Sequence, residues 1–246
     1  MAAEWEGQSA PSLSQRLDLP RVLSLAEVGS TMDVASELAA DGAPPGTLVI
    51  SDRQSRGRGR GGRRWASLPG AGIWCTLIER LGDTSGLDVL SLRIGLGLAR
   101  VLDRFAPAQV GLKWPNDLYL QGGKLGGILV ETRWRGTRPE WTGIGIGINC
   151  RSAAHPGASS LGADVSRLAV LEAIVPAVRA AAAASGPLSA PELAAFAARD
   201  VALGRECLEP GPGHVAGVAE DGALLVEGSA GIRRYHDGSL TLAGDW

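Results

Sequence analysis

Along most of this chain, short blocks of consecutive apolar residues alternate with stretches whose apolar positions recur every three or four residues. The first texture reads as buried strand and the second as one-sided helix. Residues 31–40 carry the helical texture, with Ser30 or Thr31 as the cap, Asp33 in the first turn and Gly42 at the end. Residues 47–51 and 73–78 read as buried strands. Residues 87–105 repeat apolar positions through Leu90, Ile94, Leu98, Val101 and Leu102 and stop before Pro107, a long helix whose Gly95 and Gly97 imply close packing on a sheet. Residues 110–114 and 117–120 are strands interrupted by Pro115, and Gln121-Gly122-Gly123-Lys124 supplies a hairpin turn into a return strand at 125–132.

Residues 141–149 form one more strand, in which Gly143, Gly145 and Gly147 alternate with Ile144, Ile146 and Ile148. Side chains alternate between the faces of a strand, so one face is isoleucine and the other is bare backbone. A bare face implies that something approaches it closely. Helical texture resumes at 165–185, with Pro176 as a kink or break, and at 191–203. After Gly204 short apolar runs at 215–218, 223–226 and 231–235 alternate with Gly and Asp turns, which reads as a small all-β module. The expected division is a flexible segment over 1–20, a main domain over 21–203 and a β domain over 204–246.

Composition narrows the classes. A formal net charge of −2 argues against a general nucleic-acid binder, which usually carries a basic excess. The three cysteines, Cys75, Cys150 and Cys207, are odd in number and far apart, which suits a reduced cytoplasmic protein and small apolar packing roles. The three histidines show no ligand spacing. No secretory leader is expected, and no apolar run reaches the roughly 18 to 20 residues that span a bilayer.

Against that background one segment stands out: Gly57-Arg58-Gly59-Arg60-Gly61-Gly62-Arg63-Arg64-Trp65. Its glycines match G-x-G-x-x-G, but no helix start follows them, so a dinucleotide fold is not indicated. An RGG-type RNA tract would sit in a long disordered segment, whereas this one is short and flanked by strands. A solvated charged loop is the plain alternative. The remaining reading is an ordered clamp, since arginine forks suit carboxylate and phosphate oxygens. Lys113-Trp114-Pro115-Asn116-Asp117 then places a lysine at a strand end before a stiff turn, and Asn116-Asp117 is either a turn-forming pair or a source of oxygens for Mg²⁺ or a hydroxyl. Lys124-Leu125-Gly126-Gly127-Ile128-Leu129-Val130-Glu131 bares the backbone again.

These segments, with Gly143-Ile144-Gly145-Ile146-Gly147-Ile148-Asn149, occur in the order seen in biotin protein ligases, and the chain resembles that family over about residues 22–242. The resemblance implies an α+β fold: a mixed, largely antiparallel sheet with helices on one side, a class II synthetase-like catalytic core, followed by a small C-terminal SH3-like β-barrel. It implies that biotin is adenylated by ATP to biotinyl-5′-AMP and transferred to a lysine of a biotin carboxyl carrier domain of an acyl-CoA carboxylase. Lys113, Arg58 and Arg60 would be catalytic. Ser30, Thr31, Gln54, Gly57, Arg58, Gly127, Gly145 and Gly147 would hold biotin, and Arg60, Arg63, Trp65, Asn116, Asp117 and Asn149 the nucleotide, with Trp65 packed on adenine. Mg²⁺ would arrive with ATP, near Asp117, without dedicated protein ligands. Met32 stands where the family commonly has Asn after Ser-Thr, which leaves that position without an assigned role.

Some members of the family carry an N-terminal DNA-binding domain; only about 20 residues precede the resembling region here, so a monofunctional, cytoplasmic ligase with no DNA or membrane partner is expected. Monomer and homodimer both stay open. The other readings are a lipoate or octanoate ligase of the same fold and an RNA-binding module. The chemistry suits the residues. Two anions, a carboxylate and a triphosphate, must meet, so cations and positioning carry the reaction and no enzyme nucleophile is needed.

Overall fold

The computed structural model describes residues 3–244. In chain order its elements are α1 (Ala10–Arg16), β1 (Arg21–Val28), α2 (Thr31–Ala40), β2 (Thr47–Gln54), β3 (Gly57–Arg58), β4 (Arg64–Trp65), β5 (Gly72–Glu79), α3 (Leu90–Leu102), β6 (Gly111–Lys113), β7 (Asp117–Leu120), β8 (Gly123–Arg135), β9 (Arg138–Asn149), α4 (Arg167–Ala183) and α5 (Ala190–Ala197). They are followed by β10 (Glu206–Glu209), β11 (Gly213–Val218), β12 (Leu224–Gly228), β13 (Gly231–Tyr235) and β14 (Thr241–Leu242). Seven strands form the main sheet in the order β1-β2-β5-β9-β8-β7-β6. Only β1 and β2 run parallel; every other neighbouring pair is antiparallel. The architecture is thus the mixed, largely antiparallel α+β fold.

The sheet's two faces have different partners, and the alternation of side chains decides which. Ile144, Ile146 and Ile148 lie directly opposite Leu77, Cys75 and Ile73 on β5. Residues opposite each other across an antiparallel pair share a face. This face joins Leu48 and Ile50 with Ile94, Leu98 and Leu102 of α3 and Leu171, Ile174 and Val178 of α4 in the main core. The odd-numbered glycines therefore share the other face with Ile78, Thr76 and Trp74. There α2 lies, packing Ala35 and Ala39 on Val49, Ile78 and Trp141 in a second, smaller core. Helices on one side alone was thus an incomplete expectation: α2 flanks the glycine face, because Val49 and Ile78 point there while their chain neighbours point to the main core.

Local departures from the sequence reading have simple causes. Gly95 packs on the sheet, where an added Cβ would stand 3.3 Å from Leu112 Cδ2, but Gly97 instead faces the carbonyl of Ala177 in α4. Pro176 lies inside α4, which runs through it to Ala183. In the β7–β8 hairpin it is Gln121 and Gly122, at φ 48 and 83, that take the left-handed positions, and Gly123 begins the return strand.

The N-terminal segment, expected to be flexible, is a correction as far as it is described; residues 1–2 lie outside the described residues. Trp5, Leu13, Leu17 and Leu19 are buried in the main core. Ser9 caps α1 by accepting from the Ser12 amide at 3.3 Å. Glu6 meets Arg167 at 2.5 Å and Arg151 at 2.8 Å. Arg167, 5% exposed at its side chain, also bonds Asp52 at 2.7 Å and the Gly72 carbonyl at 3.1 Å. Its guanidinium lies 4.9 Å from the Trp5 ring. Burial alone would push the Glu6 carboxyl up, but the two arginines outweigh it and hold it below its usual range. Fixed apolar anchors and a paired buried charge are what order this stretch.

The five C-terminal strands form their own sheet, β13-β12-β11-β10-β14, as fits an SH3-like barrel. It is seated against the rest of the molecule: Trp114 Nε1 donates to the Gly222 carbonyl at 2.9 Å, and the Leu188 amide donates to Glu220.

Candidate active site

The glycine face is where the chain leaves room. Over it opens a cavity of about 370 Å³, lined by the start of α2, the Gly-Arg segment, the β6–β7 turn, β8, β9 and the loop before β14. Arg58, Arg60 and Lys113 all border it, together with Gly127, Gly145 and Gly147. So do Ser30, Thr31, Gln54, Arg63, Trp65, Asn116 and Asp117. Two expected residues are not in the wall. Gly57 is buried behind it: a Cβ there would sit 2.5 Å from the Trp65 carbonyl oxygen. Asn149 is 6% exposed, and its amide donates to the carbonyls of Ser159 at 3.0 Å and Lys124 at 3.3 Å. In this geometry it holds the β8–β9 end together from behind.

The Gly-Arg segment is a small hairpin. Gly57 pairs with Trp65 and Arg58 with Arg64, and the Gly59 amide donates to the Arg63 carbonyl at 2.8 Å. Its tip is a 3-10 turn, Arg60–Gly62, in which Gly61 and Gly62 take φ of 62 and 74, conformations that disfavour a side chain. Trp65 lies down on the bare strand. A Cβ on Gly147 would stand 2.6 Å from its Cε2, and one on Gly127 3.2 Å from its Cζ3. The indole meets Trp74 edge-on at 6.2 Å, and Lys124 Nζ stands 5.5 Å from its ring centroid. The close approach inferred from the glycines is thus made by the chain's own indole, whose buried Nε1 has no hydrogen-bond partner.

Charge is arranged around the cavity in pairs. Arg58 reaches Asp33 at 3.0 Å and Glu131 at 3.1 Å. All three side chains are about half exposed, so each pair contributes at most about 1 kcal/mol and yields readily to a bound anion. Among the described residues no ion pair holds the Arg60 guanidinium. Lys113 Nζ stands 5.5 Å from the Tyr119 ring, and Lys124 pairs with Asp117 at 2.6 Å. Among the described residues no three or more His, Cys, Asp or Glu side chains gather in a group that could hold a metal ion.

At the α2 end the groups are polar and mutually bonded. Gln54 Oε1 accepts from the Thr31 amide at 2.8 Å and hydroxyl at 3.1 Å, and its Nε2 donates to Ser67 at 3.2 Å. The Thr31 and Thr76 hydroxyls are 2.9 Å apart. Ser30 occupies the cap position of α2, yet its side chain makes no capping hydrogen bond. The expected cap is therefore not made: Thr31 is taken by Gln54 and Thr76, and Ser30 lines the cavity.

Motif reading passed over several wall residues. Thr76 was reachable from the register, since it lies opposite Gly145. Ser239, Leu240 and Thr241 come from the small domain, and Ser239 accepts from Arg63 at 2.7 Å; no local pattern in the sequence announces them. Cys75 is a buried thiol on the same wall, and burial, with Cys150 nearby, pushes its pKa up to about 12, so it is no nucleophile.

Comparison with known proteins agrees with the fold and the motif order. The model of the Biotin/lipoate A/B protein ligase family matches residues 25–149 of the 246, and the chain belongs to that family. It is 41% identical over 126 residues to the bifunctional ligase/repressor BirA of Bacillus spizizenii, covering 50% of this chain and 38% of that protein. It is 39% identical over 147 residues to the biotin–[acetyl-CoA-carboxylase] ligase of Mycobacterium tuberculosis, covering 56% and 53%. The alignments thus span about half or less of these relatives' lengths. Among solved structures, the biotin protein ligase from Aquifex aeolicus in complex with biotin and ATP superimposes with a TM-score of 0.75 at 27% identity, over 91% of this chain and 99% of that one.

Proposed function

We propose that this protein is an ATP-dependent biotin protein ligase, which joins biotin to AMP and then passes the biotinyl group to a lysine of a carboxylase's carrier domain. One observation carries the reading: Arg58, Arg60 and Lys113, from two separate motifs, border one cavity with the bare glycines of β8 and β9. Family membership, the Mycobacterium tuberculosis relative and the Aquifex aeolicus structure, both named as biotin ligases, support it.

The reaction needs a carboxylate oxygen to attack the α-phosphorus of ATP, forming a mixed anhydride and releasing pyrophosphate. The amine of the acceptor lysine then attacks the acyl carbon, releasing AMP and leaving an amide. In the first step Lys113 and Arg60 offset the repulsion between the reactants and stabilise charge growing at phosphorus. Arg58 exchanges Asp33 and Glu131 for the substrate carboxylate. Ser30, Thr31 and Gln54 contact the ureido end, Gly127, Gly145 and Gly147 line the slot, and Trp65 packs on the adenine. Arg63, Asn116 and Asp117 stand on the nucleotide side. Mg²⁺, when bound with ATP, supplies neutralisation of phosphate charge. The buried, unpaired cysteines favour a reducing compartment, the cytoplasm.

The test is direct. The protein is incubated with ATP, Mg²⁺, labelled biotin and a biotin carboxyl carrier domain, with labelled lipoate in parallel. Label from biotin on one acceptor lysine is the expected result. Transfer of lipoate alone would replace this reading with the lipoate one.

A further inference from the structure

Met32 is the residue to which neither motif nor resemblance gave a role, and the geometry gives it one. It is the second residue of α2, 2% exposed, and it borders the cavity. Its thioether lies across the far part of the glycine face: Sδ is 2.7 Å from where a Cβ on Gly143 would stand, and Cε is 3.1 Å from one on Gly145. The bare row runs Gly147, Gly145, Gly143 on one face, but only Gly145 and Gly147 border the cavity. What covers Gly143 is Met32, with Trp141 behind it 3.6 Å from the same Cβ position. The slot therefore ends at this side chain. Gly143 has no side chain of its own to fill the space if Met32 were shortened, and β9 is held between β5 and β8 along its length.

The same end of the cavity carries the polar groups Ser30, Thr31, Gln54 and Thr76. It thus presents one polar edge and one soft apolar wall. That combination suits a compact ring system with a urea-like edge and an apolar sulfur-containing side, since a thioether packs adaptably against such surfaces.

We propose that Met32 is a specificity-determining residue for the ring end of the acid substrate: it fixes the depth of the slot at Gly145 and excludes rings that carry an added substituent. This rests on the biotin ligase reading.

The experiment uses the full chain as wild type, M32A, M32L and M32F. Adenylation is followed by pyrophosphate release with biotin and with the two ureido N-propyl biotins, whose carboxylates are free. One added or missing methylene in an apolar pocket changes kcat/KM by roughly 10–200-fold, so M32A should raise the propyl-to-biotin ratio by about tenfold or more for at least one isomer. M32L, similar in volume, should return the ratio toward wild type. M32F, which shortens the slot, should raise KM for biotin about tenfold while KM for ATP stays put. A folded M32A with both ratios within about threefold of wild type would overturn the proposal, as would an M32F effect shared equally by ATP. Wild type inert toward biotin sinks the ligase reading and this proposal with it; active wild type with unmoved ratios sinks this proposal alone.

Discussion

Adding one methyl group at Gly147 tests whether the bare strand exists to receive Trp65. In Gly147→Ala the new Cβ would stand 2.6, 2.8 and 2.9 Å from Cε2, Cζ2 and Nε1 of the indole. Carbon atoms rest about 3.5–4.0 Å apart, so the two groups must separate by roughly 1 Å. Gly147 sits in β9 with partners on both sides, Trp74 and Gly127, so the strand cannot give way. Trp65 belongs to the two-stranded Gly-Arg hairpin, so the hairpin moves. Overpacking of this kind costs about 1–3 kcal/mol, and because the hairpin alone absorbs it, the cost falls on loop closure rather than on global unfolding. At about 1.4 kcal/mol per tenfold, biotin affinity should drop roughly 5- to 150-fold. The comparison is Gly127→Ala, whose Cβ would meet Trp65 Cζ3 at 3.2 Å, a strain relieved by a few tenths of an ångström. Two measurements check this: calorimetric titration of biotin, and the rate of tryptic cleavage at Arg56 to Arg64. Gly147→Ala should bind weakly and be nicked quickly while its denaturation midpoint stays near wild type. Wild-type affinity with an equally protected loop would refute the argument.

Other expectations follow from the same geometry. Lys113→Ala should slow single-turnover biotinyl-AMP formation by about 10²–10³ with the fold retained; a wild-type rate would remove Lys113 from the chemistry. Trypsin should cut the hairpin of the wild-type protein less readily once biotin and ATP are present, and equal cutting with and without them would count against a closing loop. Trp114→Phe strands the Gly222 carbonyl, so denaturant unfolding should show a loss of about 1–3 kcal/mol; no loss would mean the small domain is not held by this bond. Hydrogen bonds from Arg93, chiefly, hold the Glu192 carboxyl down at about 2, against burial and with help from Ser189. A folded pKa below the unfolded 4.5 gives stability that is complete above that pH and is lost as pH falls toward 2. Glu192→Gln should therefore cost about 1–3 kcal/mol at neutral pH and flatten the acid limb between those values; an unchanged acid slope would contradict it.

Legibility followed the range over which each signal acts. Strand and helix positions, the isoleucine–glycine alternation and the Gly-Arg segment are local, and each reappears as an element or a wall of the cavity. Arg58, Arg60 and Lys113 could be placed together because their motifs carry their chemistry on consecutive residues. Residues whose role depends on a distant partner were hidden. Glu6 is an ordinary acid until Arg167 is brought to it across the fold. Ser239 lies in the loop before β14, in the small domain, and joins the cavity wall beside Arg63, 176 residues away in the chain. Asn149 matched a motif, but the motif could not tell that its amide turns toward Ser159 instead of the cavity. Alternation also misled by omission. It gave the two faces of β9 without saying that α2 would settle on the glycine side.

Arg167 grips more than the N-terminal segment. Asp52, which it holds, lies just before the Gly-Arg hairpin and accepts from the amide of Gly70 just after it, and Arg151, bound to the same Glu6, donates to the Gly70 carbonyl. Both ends of the hairpin are thus pinned to one knot of charge, centred on the buried Arg167, whose keystone is the sixth residue of the chain. A bulky fusion or a proteolytic nick that peels away the N-terminal segment would remove the carboxylate that Arg151 and Arg167 share, and the damage would surface at the two ends of the hairpin, far from the cut.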